Sequence, residues 1–163
     1  MRLWTGLSGG APERPHNITA CLARGGTKMD KKTIVEAMRD MDLCFMSTVG
    51  KSGGVSSRPM SNNAQVEWDG SNWFFSNGDT RKVQEIGANP ATELTFQGKD
   101  TWIVLSGEAK LHQDDKELFK KHWTDELDQW FEQGIDTPGL TLIEVSSKRA
   151  ECWGKPGDGV VEL

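Results

Sequence analysis

Residues 73–82 read Trp-Phe-Phe-Ser-Asn-Gly-Asp-Thr-Arg-Lys. Apolar bulk runs into a polar turn, and two cations follow the turn without a gap. Trp73, Phe74 and Phe75 belong to a strand over 72–76, and Ser76-Asn77-Gly78-Asp79 has the residue types of a turn. Beyond it Val83 and Ile86 keep helical spacing until Asn89-Pro90 stops the run, so Thr80 opens a short helix with Arg81 and Lys82 in its first turn. Cations oppose the positive end of a helix dipole by roughly 0.3–1 kcal/mol each. Their presence there points to an anion at the helix start.

The pattern extends in both directions from this stretch. Upstream, Ile34, Val35, Met38 and Met41 mark an amphipathic helix over 31–41. Short strands are expected at 43–49, 55–63 and 65–68, separated by Gly-Gly, Asn and Asp-Gly signals, and together with 72–76 they read as a β-meander. Downstream come strands at 92–97 and 101–111. Asp114 and Glu117 then have capping-box spacing for a helix carrying Leu118, Phe119 and Trp123, and 125–131 continues as helix with Leu127, Trp130 and Phe131 on one side. Strands at 140–145 and 149–153 close the chain. Many short strands with a few helices between them predict an antiparallel α+β barrel with peripheral helices, because closing a sheet removes exposed edges.

Residues 1–28 mix Gly, Pro, Arg and isolated apolar residues without a period. They read as a disordered or misassigned leader, with Met29 the more natural beginning and 29–163 as one domain. A chain of 163 residues with 36% hydrophobic residues has room for one such core. Net charge of −5 argues against nucleic-acid or anionic-membrane partners, which need a basic surface. Cys21, Cys44 and Cys152 show no paired metal or redox spacing, and this sparse usage fits a cytoplasmic protein.

Several motifs are excluded. Gly50-Lys51-Ser52 lacks the glycine a phosphate loop needs five residues earlier, where Phe45 stands, and reads as a hairpin turn. No G-x-G-x-x-G or G-x-S-x-G occurs, so dinucleotide and serine-hydrolase chemistry have no support. His112 near Asp114 and Asp115 reads as a strand end before a capped helix rather than a metal cluster. Among the tryptophans, Trp68, Trp73, Trp123 and Trp130 read as core or interface. Trp102 and Trp153 stand at strand ends beside polar turns, where an indole face can meet a planar ligand.

The strongest constellation joins Ser57-Arg58-Pro59-Met60 on one strand to Ser76 and Thr80-Arg81-Lys82. Hydroxyls, cations and free backbone N–H groups converging there would make a phosphate site. Residues 73–82 with Ile86 and Asn89-Pro90, Arg58-Pro59-Met60, Trp102 to Ala109, and Cys152-Trp153 resemble the FMN-binding split barrels related to pyridoxamine 5'-phosphate oxidase, most of all the general stress protein 26 branch.

That resemblance implies a split barrel that is homodimeric and binds FMN in clefts between subunits. It implies that Arg58 and Lys82 contact the phosphate, with Arg81, Ser76 and Thr80 completing the shell. Phe75, at a tyrosine position of the oxidase, and the backbone around Pro59 and Met60 would border the flavin; Trp102 and Trp153 would come from the partner chain. The sequence departs from the oxidase at Asn63, where the oxidase has a phosphate-holding lysine, and at Trp102, where it has glutamine. Gly154 to Leu163 has no match to the oxidase's arginine-containing substrate segment. The implied function is an FMN-binding, stress-related protein, with a flavin-dependent oxidoreductase of unknown substrate as its enzymatic form, and not pyridoxamine phosphate oxidation. Alternatives are a non-enzymatic flavin store or sensor, or a barrel binding deazaflavin or haem.

Overall fold

A computed structural model describes residues 29–39, 41–62 and 68–163. The leader expected over 1–28, the departure at Asn63 and residues 65–67 of the strand expected over 65–68 lie outside the described residues. Helix α1 (Lys31–Met38) starts where Asp30 accepts a hydrogen bond from Thr33 N, and it ends a turn earlier than its periodicity predicts, with Met41 N bonded to Met38 O. Strands β1 (Leu43–Val49) and β2 (Val55–Ser61) form a hairpin through the Gly50–Gly54 turn. Then come β3 (Ser71–Asn77), α2 (Arg81–Ala88), β4 (Ala91–Gln97), β5 (Thr101–Gln113), α3 (Lys116–His122), β6 (Leu140–Gly154) and β7 (Gly159–Glu162).

All pairings are antiparallel, in the order β2-β1-β4-β5-β6-β3, with β7 on the remaining edge of β6. The expected meander is therefore corrected: β3 pairs with β6, at the far end of the sheet from β2. The reason lies in the length of β6. Its 15 residues form one strand instead of the two short ones expected, and its first half offers a free edge that β3 takes. The polar Ser146-Ser147-Lys148 segment looked like a break, yet a register shift at Ser106/Gly107 absorbs it and lets β5 follow β6 to both ends. Glycine is required there, because a Cβ on residue 107 would lie 2.0 Å from Ser146 O.

Two further elements differ from expectation. Asp115, not Asp114, caps α3, accepting from Leu118 N at 3.0 Å, while Asp114 takes a left-handed conformation (φ 63°) as the chain leaves β5. Trp123 is extended, so 125–129 is a short 3-10 turn instead of a continued α-helix. That turn buries Leu127 and Phe131 and leaves Trp130 73% exposed, which removes Trp130 from the core.

The adjacent residues Phe74 and Phe75 point to opposite faces of β3 and enter different apolar clusters. Phe74 joins Met46, Leu94, Phe96, Ile103, Leu105, Ile143 and Val145 inside the curled sheet, packed under Ile34 and Met38 of α1. Phe75 joins Phe119, Leu127, Phe131, Leu140 and Leu142 beneath α3 and the 3-10 turn. Among the described residues, no helix is long and apolar enough to cross a membrane.

Gly107→Ala should destabilise the fold by about 1–3 kcal/mol, read as a lowered urea midpoint, because overpacking at the bulge breaks the β5–β6 ladder. An unchanged midpoint would remove the bulge from the account of strand β6.

Candidate functional site

The two ends of the sheet, β2 and β3, flank a cleft of about 510 Å³. Leu43, Pro59, Met60 and Ser61 form one wall, Phe75, Ser76 and Asn77 the other, Thr80 and Lys82 one end, and Glu126, Leu127 and Gln129 of the 3-10 turn with Trp130 and Phe131 after it a cover. The turn after β3 brings the helix to this place. Gly78 N donates to Gly139 O at 2.8 Å, and a Cβ at residue 78 would meet that same oxygen at 2.8 Å, so only glycine allows the approach.

At the cationic end, Thr80 stands at the N-cap of α2 but makes no side-chain cap bond. Its hydroxyl instead donates to Asn77 O at 2.9 Å and lies 3.1 Å from Ser76 Oγ. No acidic residue occupies the first turn, so the helix presents N–H groups and partial positive charge to the cleft. Lys82 is half-buried, and burial first, then the neighbouring Arg58, lowers its pKa from the ordinary lysine value. An ammonium disfavoured in this way is stabilised by an incoming anion.

Of the residues singled out from sequence, Pro59, Met60, Phe75, Ser76, Thr80 and Lys82 line the cleft. Arg58 lies beside it but is engaged inward, donating to Met46 O at 2.9 Å, Thr48 Oγ1 at 2.7 Å and Glu85 Oε2 at 3.0 Å. Arg81 is exposed and pairs with Glu85 at 3.1 Å and Ser56 Oγ at 2.5 Å. Trp102 and Trp153 are cross-strand neighbours on the outer face of the sheet and do not line the cleft of their own chain.

That outer face is apolar along one band. Strand pairing puts Leu43, Phe45, Trp102 and Trp153 on the same side, and they are 63%, 56%, 42% and 39% exposed. The band begins at Leu43, which also lines the cleft.

Glu85 and the cover over the cleft were missed in the sequence. The i,i+4 spacing of Arg81 and Glu85 was a readable signal for that pair, but the approach of Thr48, Ser56 and Arg58 to the same carboxylate was not. Neither His112 nor His122 lines the cleft, so a haem there would find no histidine ligand among the described residues. His112 Nε2 instead meets Glu144 Oε2 at 2.8 Å, and Trp73 stacks on His122 at 4.0 Å. Among the described residues, no group of three or more His, Cys, Asp or Glu is placed to hold a metal. Burial and Asp42 push the Cys44 thiol up to about 12, and burial also raises Cys152, so both are protonated and inert at neutral pH.

Residues 29–163 match the sequence model of the family described as pyridoxamine 5'-phosphate oxidase like. Among solved structures, a Clostridium acetobutylicum protein related to general stress protein 26 of B. subtilis aligns with a TM-score of 0.70 at 20% identity, over 83% of this chain and 97% of that one. General stress protein 26 from Bacillus anthracis aligns at 0.67 and 18% identity, over 81% and 97% of the two chains. A pyridoxamine 5'-phosphate oxidase-related, FMN-binding protein from Nostoc punctiforme aligns at 0.63 and 13% identity, over 80% and 86%. No curated protein sequence matches the chain. At these identities the likeness is one of fold, and the architecture is the antiparallel split barrel expected from the sequence.

Proposed function

The chain belongs to the pyridoxamine 5'-phosphate oxidase-like family, and from that premise we propose that it is an FMN-binding, stress-related protein that holds flavin in the cleft between β2 and β3. The observation that carries this reading is the polarity of the cleft. One end combines Lys82, the hydroxyls of Ser76 and Thr80, and an uncapped helix start, which suits a phosphate monoester. The walls are Leu43, Pro59, Met60, Phe75, Leu127, Trp130 and Phe131, which suit a planar ring system. The Nostoc punctiforme neighbour, described as FMN binding, and the two general stress protein 26 neighbours support the same reading.

Bound FMN would supply electron and hydride transfer, so the enzymatic form of this reading is an oxidoreductase. The chain's own residues bind, orient and shield. Lys82 and the start of α2 hold negative charge, the apolar walls exclude water from the ring, and Trp130 stands at the cleft's margin with its indole open to a second planar molecule.

A homodimer completes the proposal. A band bearing Leu43, Phe45, Trp102 and Trp153 is the kind of exposed apolar surface that marks an interface. Because the band reaches the cleft at Leu43, a second copy seated on it would bring its own Trp102 and Trp153 toward the flavin.

The purified chain, mixed with FMN and desalted, should retain a two-band visible flavin spectrum; a colourless product would reject the proposal. Lys82→Ala should weaken FMN binding by roughly 10- to 100-fold, the scale of one charge-assisted hydrogen bond, with riboflavin affinity changed much less. The pH dependence follows from the lowered pKa of Lys82. Above pH 7 the phosphate, whose second pKa is about 6, stays dianionic. Binding then favours the ammonium and takes up protons, so FMN affinity falls as pH rises through the lowered lysine pKa, and this fall should be absent in Lys82→Ala. Phe45→Glu should give a monomer by light scattering and lose retained FMN. A monomer that holds FMN as tightly as the native chain would exclude a partner contribution to the site.

A further inference from the structure

The lining of the cleft carries charge of both signs. Lys82 stands at the start of α2, and Glu126 stands in the cover with Gln129 and Trp130 beside it. The turn that holds them is anchored from the apolar side. Leu127 and Phe131 are buried, Trp123 Nε1 donates to Asp128 Oδ1 at 3.0 Å, and Trp130 N and Phe131 N both donate to Leu127 O. Glu126 and Trp130 are left toward the cleft. The Glu126 side chain is exposed, and among the described residues it belongs to no ion pair. No lysine or arginine occurs between Lys121 and Lys148, so the cover has no cation of its own to neutralise it. Gln129 Nε2 turns back to Glu126 O at 2.9 Å and leaves the carboxylate alone. The Trp130 indole is 73% exposed and stacks on no other ring among the described residues.

We propose that the second planar molecule admitted beside the flavin is an aromatic cation, stacked on Trp130 and paired with Glu126, and that Glu126 sets this preference by charge. The inference rests on the flavin reading of the cleft, in which the phosphate takes the Lys82 end and leaves the cover to the second molecule. An indole presents a negative π face. It attracts a cation electrostatically, in addition to the apolar contact that any ring makes with it. A carboxylate beside that face attracts the same positive charge and repels a carboxylate or phosphate. Because Glu126 is solvated, each contribution is modest, but the two have the same sign. An anionic planar molecule meets Glu126 with no counter-charge on the cover, so the cleft sorts its second occupant by charge at one end as it sorts the cofactor at the other.

The test uses the full chain loaded with FMN and desalted. Ligands of one ring shape are titrated into it by calorimetry at neutral pH: 1-methylquinolinium as the cation, quinoline as the neutral ring and quinoline-4-carboxylate as the anion. The cation should bind roughly 3- to 30-fold more tightly than quinoline, the combined scale of a cation–π contact and an exposed ion pair, and the anion more weakly than either. Glu126→Gln should retain FMN, leave quinoline affinity unchanged and cut the cation-to-neutral ratio by about two- to fivefold. Trp130→Leu keeps apolar bulk but removes the π face, so it should weaken all three ligands and lower the same ratio. An unchanged ratio in Glu126→Gln, an anion bound as tightly as the cation, or no binding by any of the three would overturn the proposal. Loss of FMN in Glu126→Gln would place that residue among the flavin's own contacts and overturn it equally. A native chain that retains no FMN fails the flavin reading first, and this inference with it; retained FMN without a cation preference sinks this inference alone.

Discussion

The cleft exists because strand β6 is continuous from Leu140 to Gly154. One of its edges carries β5 along the whole length; the other is shared by β3 and β7. That division sends β3 to the opposite end of the sheet from β2, so the curled sheet stays open where those strands face each other. The continuity depends on a contact that tolerates no side chain, Gly107 against Ser146. With any Cβ there the bulge is lost, and with it the register that brings Phe74 inside and Phe75 under the 3-10 turn.

From this frame the site inherits its polarity. The short turn after β3, tied by Gly78 to Gly139, sets the start of α2 at one end of the opening. The α3 and 3-10 segment covers the other part with apolar side chains. The helix start is positive and Lys82 is partly desolvated, whereas the charges of Arg58 and Arg81 are paired with Glu85. In this arrangement that end of the cleft is less basic than its count of cations implies.

Much of the frame was legible along the chain because it is local. The start of α2 at Thr80, the hairpin at Gly50–Gly54 and the strands over 43–49 and 92–97 follow from turn residues and alternation, whose causes lie within a few residues. The cleft residues Phe75, Ser76, Thr80 and Lys82 come from one contiguous stretch for the same reason. The errors share the opposite cause. The β3–β6 pairing, the fusion of two expected strands into β6 and the shift of the α3 cap to Asp115 are each set by what another segment offers: a free edge, a bulge in the facing strand, a left-handed residue leaving β5.

The sequence by itself determined that the chain forms an antiparallel α+β barrel and that a polar turn leads into a helix whose first turn carries Arg81 and Lys82, because periodicity and turn chemistry act over short range. Only the tertiary structure decided that Lys82 faces the cleft while Arg58 and Arg81 pair with Glu85, and that Trp102 and Trp153 share an outer face with Leu43 and Phe45. Which charges pair, and which apolar residues remain uncovered, depends on distances between strands far apart in the chain. Those distances exist only once β6 has aligned its neighbours.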